Sequence, residues 1–451
     1  MRSTIDRAAP PTVGPPPAIV PPAVERHGLD NGLQVLVVRR PGLPIVDLRL
    51  VIRAGAAADA PERAGRASLV AEMLDEGTER YSAIELAEEL DRLGAELEIT
   101  ATWDAINLSL HVLRPRLEPA LDLLAEVVAR PTFPEAEVRR VREERLADLA
   151  RQRQEPRYLA HETFSAVAYG PGHPYAATLS GSPESVQNIG REEIASFYHQ
   201  HFRPGNAFLV AVGDIDAADL LPLLGRAFDG WAPAMPMPVA PPDRPVARPS
   251  TIFLVDRPGA AQSEIQVGHA AAPRTTPDFF PLIVLNTILG GAFTSRLNMA
   301  LREERGYTYG AGSRFEFRLG PGPFVASSAV FTDVTDDALR IFVAEIRRIR
   351  QEVVPAEELE RARNYVALGL PRQLETTAQI ARTIADIELY GLGEDYLARF
   401  IERVRAVTAE EVLRAARSYL DPDHMALVVV GDRARIEEPL RALGLGPVEV
   451  R

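Results

Sequence analysis

The chain has 451 residues, too many for one ordinary hydrophobic core and enough for two or three domains of common size. Its 63 acidic and 50 basic residues give a net charge of −13, so no basic surplus exists to neutralise a phosphate backbone and nucleic acid is not expected as a partner. It has no Cys, and every basic residue is Arg. Disulfides, thiolate nucleophiles, Cys-based zinc or iron–sulfur sites, Walker-type phosphate lysines and Schiff-base lysines are thereby excluded.

Residues 1–25 read as a proline-rich arm. Seven prolines before residue 25 (Pro10, Pro11, Pro15, Pro16, Pro17, Pro21, Pro22) favour extended geometry and rule out the apolar helix of a signal peptide. No uninterrupted apolar run of about 18 residues suggests a membrane span. The expectation is a cytoplasmic protein with no membrane partner. Over residues 26–228, Leu33–Val38 and Ile45–Ile52 read as short strands, with turns at Asn31-Gly32 and Pro41-Gly42. Helical spacing then runs through Arg66–Asp75, Ala83–Leu93, Leu117–Ala129 and Glu135–Arg153. The last of these has the Arg/Glu pattern of a solvated face with i, i+4 pairs.

Residues 229–250 carry seven more prolines and read as a linker. The stretch beyond it, 251–445, repeats the first. Leu36–Gly42 matches Phe253–Gly259 at an offset of 217, and Phe202-Arg203-Pro204 matches Leu420-Asp421-Pro422 at 218. Val210–Asp214 matches Val428–Asp432, and Pro119–Asp122 and Glu192-Glu193 find counterparts at Asp337–Arg340 and Glu410-Glu411, all at 218. A near-constant offset over separated landmarks marks a duplicated domain. Hairpin-type strands with helices in blocks give the expected class: α+β, two homologous domains, each a mostly antiparallel sheet packed with helices.

Within Arg66–Thr78, residues 68, 71 and 72 stand at i, i+3 and i+4, the geometry by which a helix presents two metal ligands with a base beside them. The residues there are Ser68, Ala71 and Glu72. Ser is a poor zinc ligand, and Ala cannot move a proton. The continuation Met73-Leu74-Asp75-Glu76-Gly77-Thr78 resembles that of the pitrilysin/insulinase family of zinc metallopeptidases, which includes mitochondrial processing peptidase and its bacterial relatives. Their signature helix reads His-x-x-Glu-His. The resemblance places Ser68 and Glu72 at the two His positions and Ala71 at the general base. It places Asp148 at the third ligand, a Glu in the family, and Val141 at the accessory acidic position. All depart from the pattern, so the resemblance implies no catalytic group and no metal in this chain, with loss of the base alone costing about 10²–10⁴ in rate. A weak hard-cation site at Glu72 and Asp148 is the remaining alternative.

In the second half, Gly290-Gly291-Ala292-Phe293-Thr294-Ser295-Arg296-Leu297 and Leu301-Arg302-Glu303-Glu304-Arg305-Gly306-Tyr307-Thr308-Tyr309 are similar to a second family motif. There an Arg and a Tyr seven residues apart hold the substrate backbone. Those positions are Arg302 and Tyr309, which the resemblance implies are substrate-binding. His173-Pro174-Tyr175 and Gly181 match structural positions of the family, whereas His199 and His201, at i, i+2, do not share a helix face. The function implied is a non-catalytic, substrate-binding subunit of a heteromeric zinc metallopeptidase, with zinc expected in the catalytic partner subunit. The alternatives are a homodimeric scaffold without peptide chemistry and an active peptidase with an atypical metal site.

Overall fold

The computed structural model describes residues 20–233 and 237–451, so most of the proline-rich arm and part of the linker lie outside the described residues. The first half builds one six-stranded sheet from β1 (Glu25–Gly28), β2 (Gln34–Arg39), β3 (Ile45–Ile52), β4 (Glu96–Ala101), β5 (Ile106–Leu113) and β6 (Ala207–Gly213), in the order β1-β2-β6-β3-β5-β4. The second half builds another from β7 (Thr251–Asp256), β8 (Gln262–Ala272), β9 (Ala311–Phe315), β10 (Gly322–Phe331), β11 (Ala426–Gly431) and β12 (Val448–Val450), in the order β12-β7-β11-β8-β10-β9. Without β1 and β12 the two orders coincide. In both, the pair β2/β6 or β7/β11 is parallel and the other shared neighbours are antiparallel. The offset in the sequence is therefore a repeat of topology.

The sixth strand breaks the symmetry. In the first half it is β1, antiparallel to β2; in the second it is β12, parallel to β7. Neither was expected from the sequence. The sheet begins at Glu25, inside the expected arm, and extends beyond residue 445. Strands of four and three residues at a sheet edge are too short to show an alternation.

Helices α1 (Arg66–Met73), α2 (Ala83–Leu93), α3 (Leu117–Ala129), α4 (Glu135–Gln152), α5 (Pro156–Tyr169), α6 (Pro183–Gln187), α7 (Arg191–His201) and α8 (Ala217–Ala227) belong to the first half. The second contributes α9 (Phe279–Asn286), α10 (Arg296–Asn298), α11 (Thr335–Gln351), α12 (Ala356–Gly369), α13 (Thr377–Leu389), α14 (Tyr396–Ala406), α15 (Ala409–Tyr419) and α16 (Arg433–Ala442). Two of the turns with i→i+5 bonding, Thr287–Gly291 and Met299–Glu303, continue α9 and α10. The run Phe279–Glu303 is long and apolar enough to cross a membrane by length and composition alone, although polar residues interrupt it. Leu282, Leu285, Leu289, Leu297 and Leu301 on it are fully buried, so here the run belongs to the core.

Strand alternation explains how the halves are joined. Val35, Val37, Leu48 and Leu50 face the first half's own helices, whereas Leu36, Val38, Val51, Val210 and Val212 face the opposite way and pack in a core with Ile380, Ile384 and Ile387 of α13. Reciprocally, Ala160 and Phe164 of α5 pack on Val325, Val428 and Val430 of the second sheet. Each half thus lends one helix to the other's sheet. Strands covered on both faces read as near-continuous apolar runs, and β6 and β11 are buried at every residue.

A polar junction lies between the halves. The buried Asp104 carboxylate accepts from the Leu319 N–H and the Tyr390 hydroxyl, both at 3.0 Å, and from the Tyr175 hydroxyl at 3.4 Å. The Arg318 guanidinium stacks on the rings of Trp103 and Tyr175, at 4.3 and 4.5 Å. The linker residues 237–250 form neither helix nor strand. They are tied down by Arg244, which donates to Ala270 O at 3.1 Å, and by Ser250, which donates to Pro422 O at 2.9 Å.

Candidate functional site

Helix α1 starts at a buried position whose orphan N–H groups need an acceptor. Asp59 supplies it: its two carboxylate oxygens accept from the Ala67 N–H at 3.1 and 3.2 Å, and Arg66 Nε lies 3.4 Å away. Burial pushes the Asp59 carboxyl up to about 7, outweighing the Ala67 bond and the Arg66 charge that hold it down. With its start fixed in this way, α1 buries Ala71 and leaves Glu72 exposed and Ser68 half-buried.

Helix α4 faces α1 with the stripe Val138, Val141, Arg145, Leu149. Spacings of three and four residues keep these on one side of the helix, so Val141 packs as an ordinary core residue. Arg145, buried in the same stripe, donates from Nη2 to Ser68 Oγ at 3.0 Å and to the Glu72 carboxylate. Its Nη1 donates to Ser180 O at 3.2 Å. That carbonyl comes close because Gly181, at φ +77°, lies against the backbone of Ala64; a Cβ there would stand 2.2 Å from Ala64 O. The helix outside agrees with the expected solvated face: Arg140 pairs with Glu137 at 2.7 Å and with Glu144 at 3.0 Å.

The structure thus brings Ser68 and Glu72 together, around a guanidinium. Asp148 does not join them: it is half-exposed and pairs with Arg151 at 2.9 Å. Among the described residues no three His, Asp or Glu side chains converge as metal ligands. A zinc site needs deprotonated donors aimed at one point. Here the two helix positions are engaged by a cation that does not lose its proton, so the residues present do not fit zinc. Glu72 and Asp148, considered as a weak hard-cation site, point to different partners: the first pairs with Arg145 and the second with Arg151.

The second expected group lies on the other half. Gly290 lets the i→i+5 turn meet β9, since a Cβ there would stand 2.3 Å from Ser313 N. Beyond it, Arg302 in the turn Met299–Glu303 stands with its guanidinium 4.8 Å from the Phe293 ring centre and 5.2 Å from that of Tyr309. Its Nε also lies 3.2 Å from Glu303. Tyr309 is 91% exposed and Phe293 59% exposed, an unusual state for two large rings. Arg302 and Tyr309 are adjacent in space, as their expected joint role requires. The hydroxyl of Tyr309 has no hydrogen-bond partner among the described residues. The arrangement offers a cation held between two rings and a free phenol beside it, suited to carbonyl and carboxylate groups of an extended chain.

Of the remaining residues singled out in the sequence, His173 and Tyr175 pack with Tyr169 at ring distances of 4.8 and 5.5 Å, in structural roles. His199 is exposed; His201 is buried against Phe197, and desolvation pushes its imidazole down to about 4. Sequence reasoning missed Arg145 and Phe293. The signal for Arg145 was present in its place four residues after Val141 on a single face. Phe293 gave none, because its ring meets Arg302 only after the chain folds back.

Residues 34–180 match the model "Insulinase (Peptidase family M16)", and residues 188–366 match "Peptidase M16 inactive domain". The chain is 26% identical over 426 residues to an uncharacterized zinc protease of Mycobacterium tuberculosis, covering 93% of this chain and 97% of that one. It is 21% identical over 407 residues to the uncharacterized zinc protease YmxG of Bacillus subtilis, covering 90% and 98%. Among solved structures, a peptidase M16 inactive domain from Pseudomonas fluorescens superposes with a TM-score of 0.84 at 29% identity, covering 91% of this chain and 98% of that one. A protease from Helicobacter pylori gives 0.84 at 19% identity, covering 91% and 100%, a likeness of fold.

Proposed function

We propose that this chain, which belongs to the insulinase family (peptidase family M16), is the non-catalytic, substrate-binding subunit of a heteromeric zinc metallopeptidase. Zinc and the general base belong to a catalytic partner subunit of the same family. This chain contributes Arg302 and Tyr309, which bind the peptide backbone of the substrate. The observation that carries the reading is the contrast between two sites on one chain. The helix that would hold the metal has its ligand positions tied by Arg145, while Arg302 stands stacked between two exposed rings with nothing to cover them. A half-exposed cation beside two exposed rings is suited to bind something outside the molecule.

In this role the Arg302 guanidinium, a planar fork of donors, orients a peptide carbonyl or carboxylate, and the Tyr309 hydroxyl donates to a carbonyl oxygen. The Phe293 and Tyr309 rings lie close enough to the guanidinium to support it by cation–π attraction. The test is to purify the chain with a family member that carries intact His-x-x-Glu-His and to follow cleavage of a fluorogenic peptide. Arg302→Ala is expected to lower turnover by about 10²-fold, the scale of losing one positioned donor, while the complex elutes intact. Unchanged turnover by the intact complex would remove Arg302 from the reaction. A homodimer that recruits no zinc-bearing relative would favour the scaffold instead.

A further inference from the structure

The repeat sets α12 beside α9 as it sets α4 beside α1. Both α4 and α12 follow a proline, Pro134 and Pro355, and the buried Val138, Val141 and Leu149 of one have Leu359, Ala362 and Leu370 in the other, all at an offset of 221. At the same offset the outer face of α4, with Glu137, Arg140, Glu144 and Ala147, becomes Glu358, Arg361, Tyr365 and Leu368. A solvated face of paired charges is thus replaced in part by large apolar groups. Tyr365 is 54% exposed and Leu368 38%. Exposed apolar surface that a structural twin does without marks a place of contact.

These two residues line a pocket of about 380 Å³, together with Ile288 from the turn that continues α9 and with Ala292 and Thr294 from the loop after it. The charged side chains on its walls are paired within the protein: Arg296 with Glu358 at 2.6 Å, and Arg361 with Glu357 at 2.5 Å. A charge brought into the pocket would lose water without gaining a free partner, whereas an apolar group would lose only water. The position of the pocket says where such a group comes from. Ala292 and Thr294 line it, and the ring of Phe293, between them in the chain, lies 4.8 Å from the Arg302 guanidinium. Successive Cα atoms are about 3.8 Å apart, so one three-residue loop borders both the pocket and the Arg302 site.

We propose that this pocket receives one large apolar side chain, leucine or phenylalanine, of the peptide whose backbone Arg302 and Tyr309 hold. The proposal rests on the Arg302 reading and adds to it the selection of a side chain. The experiment is fluorescence anisotropy of the full-length chain with fluorescein-labelled Gly-Ser-Ala-X-Ala-Ser-Gly, where X is Leu, Phe, Ala or Asp. The Leu and Phe peptides are expected to bind more tightly than the Ala and Asp peptides by about 10-fold or more, the scale of covering one such side chain. Leu368→Asp and Tyr365→Asp are each expected to remove that preference, and Arg302→Ala to weaken the whole series. Binding that ignores X but is weakened by Arg302→Ala would overturn the pocket and leave the Arg302 reading in place. A preference that survives both Asp variants would put the selecting surface elsewhere and overturn the pocket too. A preference removed by the Asp variants but untouched by Arg302→Ala would sink the Arg302 reading and the claim that one peptide spans both sites. No binding of any of the four at the highest soluble chain concentration would overturn the pocket, while turnover by the complex still judges Arg302. Circular dichroism checks the fold of each variant, and either Asp variant decides alone should the other fail to fold.

Discussion

Arg145 places a fixed positive charge between the two side chains that a metal-binding relative would aim at its ion. A second cation brought there meets repulsion in a partly buried setting, where charge interactions are several-fold stronger than in water. Restoring ligands without removing the guanidinium should therefore fail. With Ser68→His, Ala71→Glu, Glu72→His and Asp148→Glu combined, zinc measured by metal analysis after gel filtration is expected to stay well below one equivalent. Adding Arg145→Leu should bring it towards one. Equal loading with and without Arg145 would show that the guanidinium is no barrier. Asp59 supports a second prediction at this scale. Its folded carboxyl, at about 7, lies above its ordinary value of 3.8, so the native state holds the proton more tightly than the unfolded chain. The stability it contributes is full below the unfolded value and is lost as pH rises through about 7. Relative to Asp59→Asn, the parent's Tm should therefore fall as pH is raised from 4 to 8. Parallel Tm–pH curves for the two proteins would count against this assignment.

The exchanged helices α5 and α13 are the elements that make two repeats into one molecule. Phe164 is 1% exposed and sits in the apolar cluster formed by α5 and the second sheet. Phe164→Ala is expected to cost about 3–5 kcal/mol, the range for a large buried ring replaced by a cavity. Because the lost contact is shared by both halves, calorimetry should show one transition displaced downward; two separated transitions would mean that the halves unfold independently. The repeated elements were legible in the sequence because strands β2, β3, β6, β7 and β11 carry apolar runs and their helices carry amphipathic spacing. The exchange itself was not. An apolar residue on the second face of a strand, such as Leu36 or Val210, records that it is covered, with no mark of which helix covers it. Likewise the departures at Ser68, Ala71 and Glu72 were plain, while the Arg145 bridge depended on two helices docking side by side. The aromatic faces around Arg302 depended on a fold-back between Phe293 and Tyr309, of which the sequence carried only the spacing of the Arg and the Tyr.

Across the whole molecule, the Asp104 junction and the two borrowed helices tie first-half segments to second-half segments at several separate places. The linker adds connection but little of the shared core. A protease site placed within residues 237–249 and cleaved in the folded protein is therefore expected to yield two fragments that still elute as one species under native conditions and separate only in denaturant. Separation under native conditions would locate the joining force in the linker. The reciprocal lending of α5 and α13 also imposes a constraint on inheritance. Neither copy of the repeated unit can now change the partner-facing side of its sheet without a matching change in a helix that lies far off in the chain, in the other half. An embrace of this kind preserves the scaffold while leaving outward-facing positions, such as Glu72 on α1, at liberty to drift.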